Sequence, residues 1–152
     1  MLQLNLPDYK FRIKKQDEKL FIFDSQRKRY VSLTPEEWVR QNFIRFMIEE
    51  KGYPAAYLAI EKQLNLNGMK KRCDAILYDN EAKPIMIIEF KAPKVPITQA
   101  TFDQVAVYNA KLKVDLLIIS NGIEHFCCRV NSNTAKYEFF KGIPHYSLLI
   151  NV

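Results

Sequence analysis

The chain has few of the residues that staple or interrupt a fold. Among its 152 residues are four glycines, three cysteines, two histidines and one tryptophan. So little glycine argues against a fibrous or low-complexity chain. Cys73, Cys127 and Cys128 are odd in number and lack zinc-type spacing, and the vicinal pair is too close for ordinary disulfide geometry. They are expected as small buried apolar residues in a reducing compartment. His125 and His145 have no second ligand at a recognisable spacing, which argues against a histidine-based metal centre. Long apolar runs are also missing. The longest, Val114 to Ser120, contains Asp115, and the N-terminus lacks an apolar signal segment, so the expected location is cytoplasmic. No internal repeat is present. No Gly-x-x-x-x-Gly-Lys-Ser/Thr stretch occurs either, so ATP-driven translocation is not expected of these residues.

What remains is an ordinary globular composition, 48% hydrophobic and 26% charged, in a chain long enough to bury a core as one domain. Twenty-three basic against seventeen acidic side chains give a formal charge of +6, a balance that favours polyanionic partners. The expected organisation is a strand addition over residues 1–33, a core over 34–130 and an extension over 131–152. Strands are expected at Lys10 to Ile13, Leu20 to Phe23 and Arg29 to Leu33. Thr34, Pro35, Glu36 and Glu37 then form a helix start in which threonine caps, proline fits the first turn and Glu37 can close a capping box. Val39, Phe43, Phe46 and Met47 repeat at helical spacing until Gly52 and Pro54 end the helix.

Asn67-Gly68 is the dipeptide best suited to a two-residue hairpin turn, because both positions need positive φ, and it joins strands Leu58 to Leu66 and Met69 to Asp79. A third strand, Ile85 to Phe90, follows. Thr98 can cap a helix reaching Leu112. This helix can serve as a right-handed crossover that sets the unalternating strand Asp115 to Ser120 parallel to the third. Glu124 to Val130 and Ala135 to Phe140 complete an α/β (α+β) mixed sheet in the order α-β-β-β-α-β, with extra strands at both ends.

With Leu66 opposite Met69, counting back in step sets Glu61 opposite Asp74. A turn centred between Glu81 and Ala82 then sets Asp74 opposite Glu89. Glu89 and Lys91 emerge on one face, while Met86, Ile88 and Phe90 point to the other with Cys73, Ala75 and Leu77. Three opposed carboxylates repel unless a cation binds or solvent screens them. Hard oxygen ligands suit Mg²⁺ or Mn²⁺, and Lys91 beside them could orient a nucleophile or stabilise transition-state charge. The plainer alternative is a solvated, salt-bridged strand face.

The segments TPEEWVRQ (Thr34 to Gln41), KRCDAILY (Lys71 to Tyr78) and IIEFKAP (Ile87 to Pro93), with Gln104, Tyr108, Asn121 and Gly122 after them, resemble the N-terminal nuclease domain of type I restriction enzyme R subunits. The resemblance runs over roughly residues 10 to 130. It implies the restriction-endonuclease-like PD-(D/E)XK fold and magnesium-dependent DNA cleavage, with Mn²⁺ as a substitute metal. The metal ligands it implies are Asp74, Glu89 and the Phe90 backbone carbonyl, with Glu61 as a further candidate. Lys91 is the implied catalytic lysine, and Gln104 and Tyr108 look like the Gln-x-x-x-Tyr element of RecB-like members, which supports the active site or contacts nucleic acid. Cys73 stands where the motif's name has proline, a position that supplies no ligand.

Glu37 is a rival first-helix acid whose capping role already accounts for it, and Trp38 and Arg40 are candidates for packing and phosphate or salt-bridge contacts. Lys70, Lys71, Arg72 and Lys94 could hold phosphates. The expected partners are DNA and restriction or repair subunits that supply a motor or specificity, with homodimerisation open. The competing expectation is a catalytically silent nucleic-acid or protein-binding module on the same fold.

Overall fold

The computed structural model describes residues 1–134 and 136–150. Strands β1 (Ile13–Gln16), β2 (Lys19–Asp24) and β3 (Arg29–Ser32) form an antiparallel sheet in that order. The first lies three residues later than the sequence suggests. Asp17 and Glu18 both adopt positive φ, 51° and 67°, and set Gln16 opposite Lys19. Asp-Glu is not the usual chemistry of such a turn, and β1 is exposed along its length, so neither turn residues nor alternation marks it.

Helix α1 (Pro35–Glu49) starts as expected, with Thr34 Oγ1 accepting from the Glu37 N–H at 3.0 Å. The Glu37 carboxylate does not close a capping box. It accepts instead from Arg27, Arg40 and Gln41, because charge-assisted bonds outcompete a single backbone donor. Val39, Phe43, Ile44 and Met47 bury the inner face of the helix. They pack on Ala75, Leu77, Met86, Ile88 and Phe90 of the main sheet.

That sheet has six strands in spatial order: β4 (Leu58–Leu66), β5 (Met69–Tyr78), β6 (Pro84–Phe90), β7 (Leu116–Ser120), β8 (His125–Val130) and β9 (Tyr137–Phe139). Helix α2 (Gln99–Leu112) crosses from β6 to β7, the one parallel pair among the described strands. It covers the face opposite α1 with Phe102, Ala106 and Leu112. All five residues of β7 are buried, as its unalternating sequence implies. The fold is therefore a mixed α/β arrangement around a mixed sheet, in the expected order. Ala135, expected in the last strand, lies outside the described residues. The C-terminal extension adds a short helix, α3 (Ser147–Ile150), that the sequence did not mark. It is tied back to the end of α1 where the Tyr146 N–H meets the Lys51 carbonyl at 2.8 Å.

The hairpin register places the site. Asn67 and Gly68 both have positive φ, 51° and 77°, and Leu66 pairs with Met69. Pairing runs back to Lys62 opposite Cys73 and resumes at Ile60 opposite Ala75, so Glu61 lies across from Asp74 in a gap of the ladder. Glu61 itself has φ 49°. This left-handed residue breaks the alternation. Ile60, Ala75 and Leu77 face α1, whereas Leu64 and Cys73 pack with Ile76, Ile87 and Leu112 on the α2 side. The expectation that Cys73 shares a face with Ala75 and Leu77 is corrected for that reason.

The second hairpin keeps the expected pairs Ala75 with Ile88, Ile76 with Ile87 and Leu77 with Met86. Its turn is longer than expected. Tyr78 pairs with Pro84 across a bulge, and Asp79 Oδ1 accepts from the N–H groups of Glu81 and Lys83 at 2.8 and 2.9 Å.

Candidate functional site

Asp74 and Glu89 come together where the β5–β6 ladder ends. Beyond the Ala75 and Ile88 pair, the Asp74 side chain takes over from backbone pairing, and its Oδ2 accepts from the Phe90 N–H at 2.7 Å. That bond fixes the carboxylate at the tip of β6. Its other oxygen lies 3.4 Å from Arg40 Nη2, whose guanidinium reaches across from α1.

Glu89 is the more enclosed acid. Its side chain is 13% exposed, against 24% for Asp74. Oε1 lies 3.1 Å from Lys71 Nζ, yet this buried oxygen has no hydrogen-bond partner of proper alignment. Burial, and then the neighbouring charge of Asp74, push the Glu89 carboxyl up to about 7, with Lys71 opposing both. Burial works against the Lys71 ammonium, but Glu89 and, less strongly, Cys73 and Asp74 more than offset it, so Lys71 holds its proton above the ordinary lysine range.

The third acid goes elsewhere. Glu61 sits at the register position across from Asp74, but its carboxylate is directed to Arg27 and Arg40, both at 3.4 Å, and to Arg72 at 3.3 Å. Arg27 and Arg40 share Glu37 Oε1 at 2.8 and 2.7 Å, and Arg27 also binds Asp24. Glu37 is therefore the buried anchor of a guanidinium network. Among the described residues, no group of three or more His, Cys, Asp or Glu side chains forms a metal-holding set. The acidic centre is the pair Asp74 and Glu89. Two hard carboxylates, one with a buried oxygen held only by the Lys71 charge, suit a divalent cation that keeps water or phosphate in its remaining positions.

Lys91 follows β6 directly. Its N–H donates to the Ser120 carbonyl at 2.9 Å, which extends the parallel pairing one residue past Phe90. The Phe90 ring is buried against Phe43. Gln104 and Tyr108 are exposed one turn apart on α2, and the Tyr108 ring centroid lies 5.1 Å from Lys71 Nζ. Lys71 thus stands between Tyr108 and Glu89. Lys70, Arg72 and Lys94 are exposed. Trp38 donates from Nε1 to the Leu2 carbonyl at 2.9 Å, a packing role.

Glu36 was missed by the sequence reading. Desolvation and then the charge of Asp74 raise its carboxyl, while Arg40 and Lys91 pull it down, and it lines the same groove as Arg40 and Glu61. No signal in its spacing separates it from Glu37, which also lies within one turn of Arg40. Glu36 is exposed on α1, whereas the buried Glu37 points into the arginine network. The three cysteines are buried and free, and burial pushes each thiol up to about 12, so they are inert packing residues.

Compared with known proteins, residues 35–144 match the family described as type I restriction enzyme R protein N terminus. No curated protein matches the chain. The matched span begins at α1, after the three-stranded sheet. No helix among the described residues is long and apolar enough to cross a membrane.

Proposed function

The chain belongs to the family of type I restriction enzyme R protein N termini, and from that membership we propose a metal-dependent endonuclease of PD-(D/E)XK type that hydrolyses DNA phosphodiester bonds. One observation carries the reading beyond the family: the carboxylates of Asp74 and Glu89 converge at the end of β6, directly before Lys91. Asp74, Glu89 and the Phe90 carbonyl would hold Mg²⁺ or Mn²⁺. Such an ion supplies Lewis-acid polarisation of a phosphoryl oxygen and acidifies water. Glu61 could join them only by leaving its arginines.

The protein's own groups do the rest. The Phe90 N–H holds Asp74 in one orientation, so that carboxylate needs little reorganisation when substrate arrives. Lys91 carries the positive charge that orients an attacking water or stabilises the phosphorane-like transition state. Tyr108 restrains Lys71 over Glu89, and Gln104, one turn away, faces the approaching strand. DNA and other restriction or repair subunits are the expected partners.

A second reading, a catalytically silent binding module, is favoured by a separate observation: Arg40 and Lys71 already lie against the two carboxylates. The test is cleavage of supercoiled, linear and single-stranded DNA with Mg²⁺, Mn²⁺ or chelator, comparing the wild type with Glu89→Gln and Lys91→Ala. Metal-dependent cutting lost in both variants supports the nuclease. An absence of both cutting and calorimetric Mn²⁺ binding supports the silent module.

A further inference from the structure

The three-stranded sheet has two different faces. Ile22 and Asp24, two residues apart on β2, are buried, with Val31 beside Ile22 in register, and Asp24 shares a pocket with Arg40, Gln41 and Ile44 of α1, so that face packs inward. Alternation turns Phe21, Phe23, Tyr30 and Ser32 to the other side, where Phe21 pairs with Ser32 and Phe23 with Tyr30. Arg12 and Lys14 join them from β1 and the residue before it. The Arg12 guanidinium carbon lies 4.0 Å from the Phe23 ring centroid, and Lys14 Nζ lies 4.2 Å from that of Tyr30. The two rings meet edge to face at 5.3 Å. Phe21, Phe23 and Tyr30 are half-buried, against full burial of Ile22 on the opposite face.

We propose that this outer face of β1–β3 is a docking platform for an unpaired stretch of DNA, with Phe23 and Tyr30 stacking on bases and Arg12 and Lys14 holding phosphates. The proposal rests on the DNA reading given above and adds to it the strandedness of the substrate.

Charge complementarity selects the occupant. Residues 9–33 carry eight basic and three acidic side chains, which accounts for most of the chain's formal +6. A cationic surface alone would serve duplex DNA, whose phosphates are all it needs to meet. Aromatic rings interleaved with those cations add something a duplex cannot use, because its base faces are covered by their neighbours. Unpaired bases expose those faces and stack on aromatic rings whatever their sequence. Position supports the same conclusion. Tyr30 and Arg29 also line a polar groove of about 510 Å³ shared with Glu36, Arg40 and Glu61, and Arg40 reaches Asp74. A strand lying on the platform therefore leads along this groove toward the acidic pair.

The experiment is fluorescence anisotropy of the full chain, in chelator, with a labelled 15-nucleotide mixed-sequence single-stranded DNA, the matching RNA and the matching duplex. The proteins are the wild type, Phe23→Leu, Tyr30→Leu, Arg12→Gln with Lys14→Gln, and Glu89→Gln. Single-stranded DNA is expected to bind most tightly. Each ring variant should weaken that binding by roughly tenfold or more and leave duplex binding unchanged. Unchanged single-strand affinity in the ring variants, a preference for duplex, or tighter binding of RNA overturns the proposal. Should a ring variant fail to fold by circular dichroism, the double charge variant carries the test: its salt-dependence slope should flatten by about 1.4, and an unchanged slope overturns the proposal.

Cleavage measured in parallel separates the two readings. A wild type that cuts, with ring variants that bind normally, keeps the nuclease and removes the platform. A wild type that does not cut, with ring variants that lose binding, does the reverse.

Discussion

Lys71 Nζ and Glu89 Oε1 are 3.1 Å apart across β5 and β6, and neither charge has ready access to water, with side chains 18% and 13% exposed. This pair sets how the candidate site responds to protons and cations. Lys71 supplies charge but no aligned hydrogen bond, so Glu89 is only partly compensated.

The first consequence concerns stability. The folded Glu89 carboxyl titrates at about 7, and an ordinary glutamate near 4.5. Its contribution is therefore fully present below about pH 4.5, declines as pH rises, and is lost above about 7. Glu89→Gln removes the charge that burial disfavours. In chelator at pH 8 the variant should be more stable than wild type by on the order of 1–3 kcal/mol, reduced by whatever Lys71 loses with its partner. The gain should vanish near pH 4.5, as thermal unfolding across that range would report.

Divalent-cation binding should follow the same titration with the opposite sense. A carboxylate must be ionised to act as a ligand, so Mn²⁺ affinity is expected to be flat above about pH 7 and to fall roughly tenfold per unit below it. Calorimetric titration at pH 8, 7 and 6 measures this. An affinity independent of pH would mean that the ion binds elsewhere.

The arginine network predicts a contrast between its buried and its exposed members. Glu37 and Arg40 are nearly buried, at 7% and 5%, whereas Glu61 is 37% exposed. Arg40→Ala leaves buried carboxylates undercompensated and should cost about 3–5 kcal/mol in urea unfolding. Glu61→Gln should change stability by less than about 1 kcal/mol, because solvent screens its pairs. Equal effects would show that Glu61 is integral to the network.

Two glycines with the same backbone need should separate by their surroundings. Gly68 has φ 77° with open space around it, so Gly68→Ala is expected to cost about 1–2 kcal/mol from backbone strain alone. Gly122 has φ 86°, and a Cβ there would lie 2.7 Å from Leu4 Cδ2 and 3.1 Å from Val39 Cγ2. Gly122→Ala should be the more damaging of the two, as denaturant midpoints at equal slope would register.

Local chemistry made much of the fold legible. Thr34-Pro35 marks a helix start, Asn67-Gly68 fixes a hairpin whose register sets Glu61 across from Asp74, and the unalternating run before Asn121 marks a strand covered on both faces. Such signals are short-range, so they survive without knowledge of the rest of the molecule. The second hairpin keeps the expected pairing of Ala75 with Ile88, which leads to the meeting of Asp74 and Glu89, even though its turn is longer than its residues suggest.

What the tertiary structure decided is where each charge goes. Nothing in the spacing of Glu61, Glu36 and Glu37 says which of them turns to arginines. That depends on Arg27, which arrives from the turn after β2, and on Arg40 of α1, which the fold brings to Glu61 of β4 as well as to its own helix neighbour Glu37. The left-handed backbone at Glu61 and the break in the β4–β5 ladder beside it, past which Cys73 lies on the α2 side, are likewise invisible to alternation. Sequence patterns specify a periodicity and therefore a face. The partners of a long charged side chain are chosen by which opposite charges the folded elements bring within a few ångströms of it.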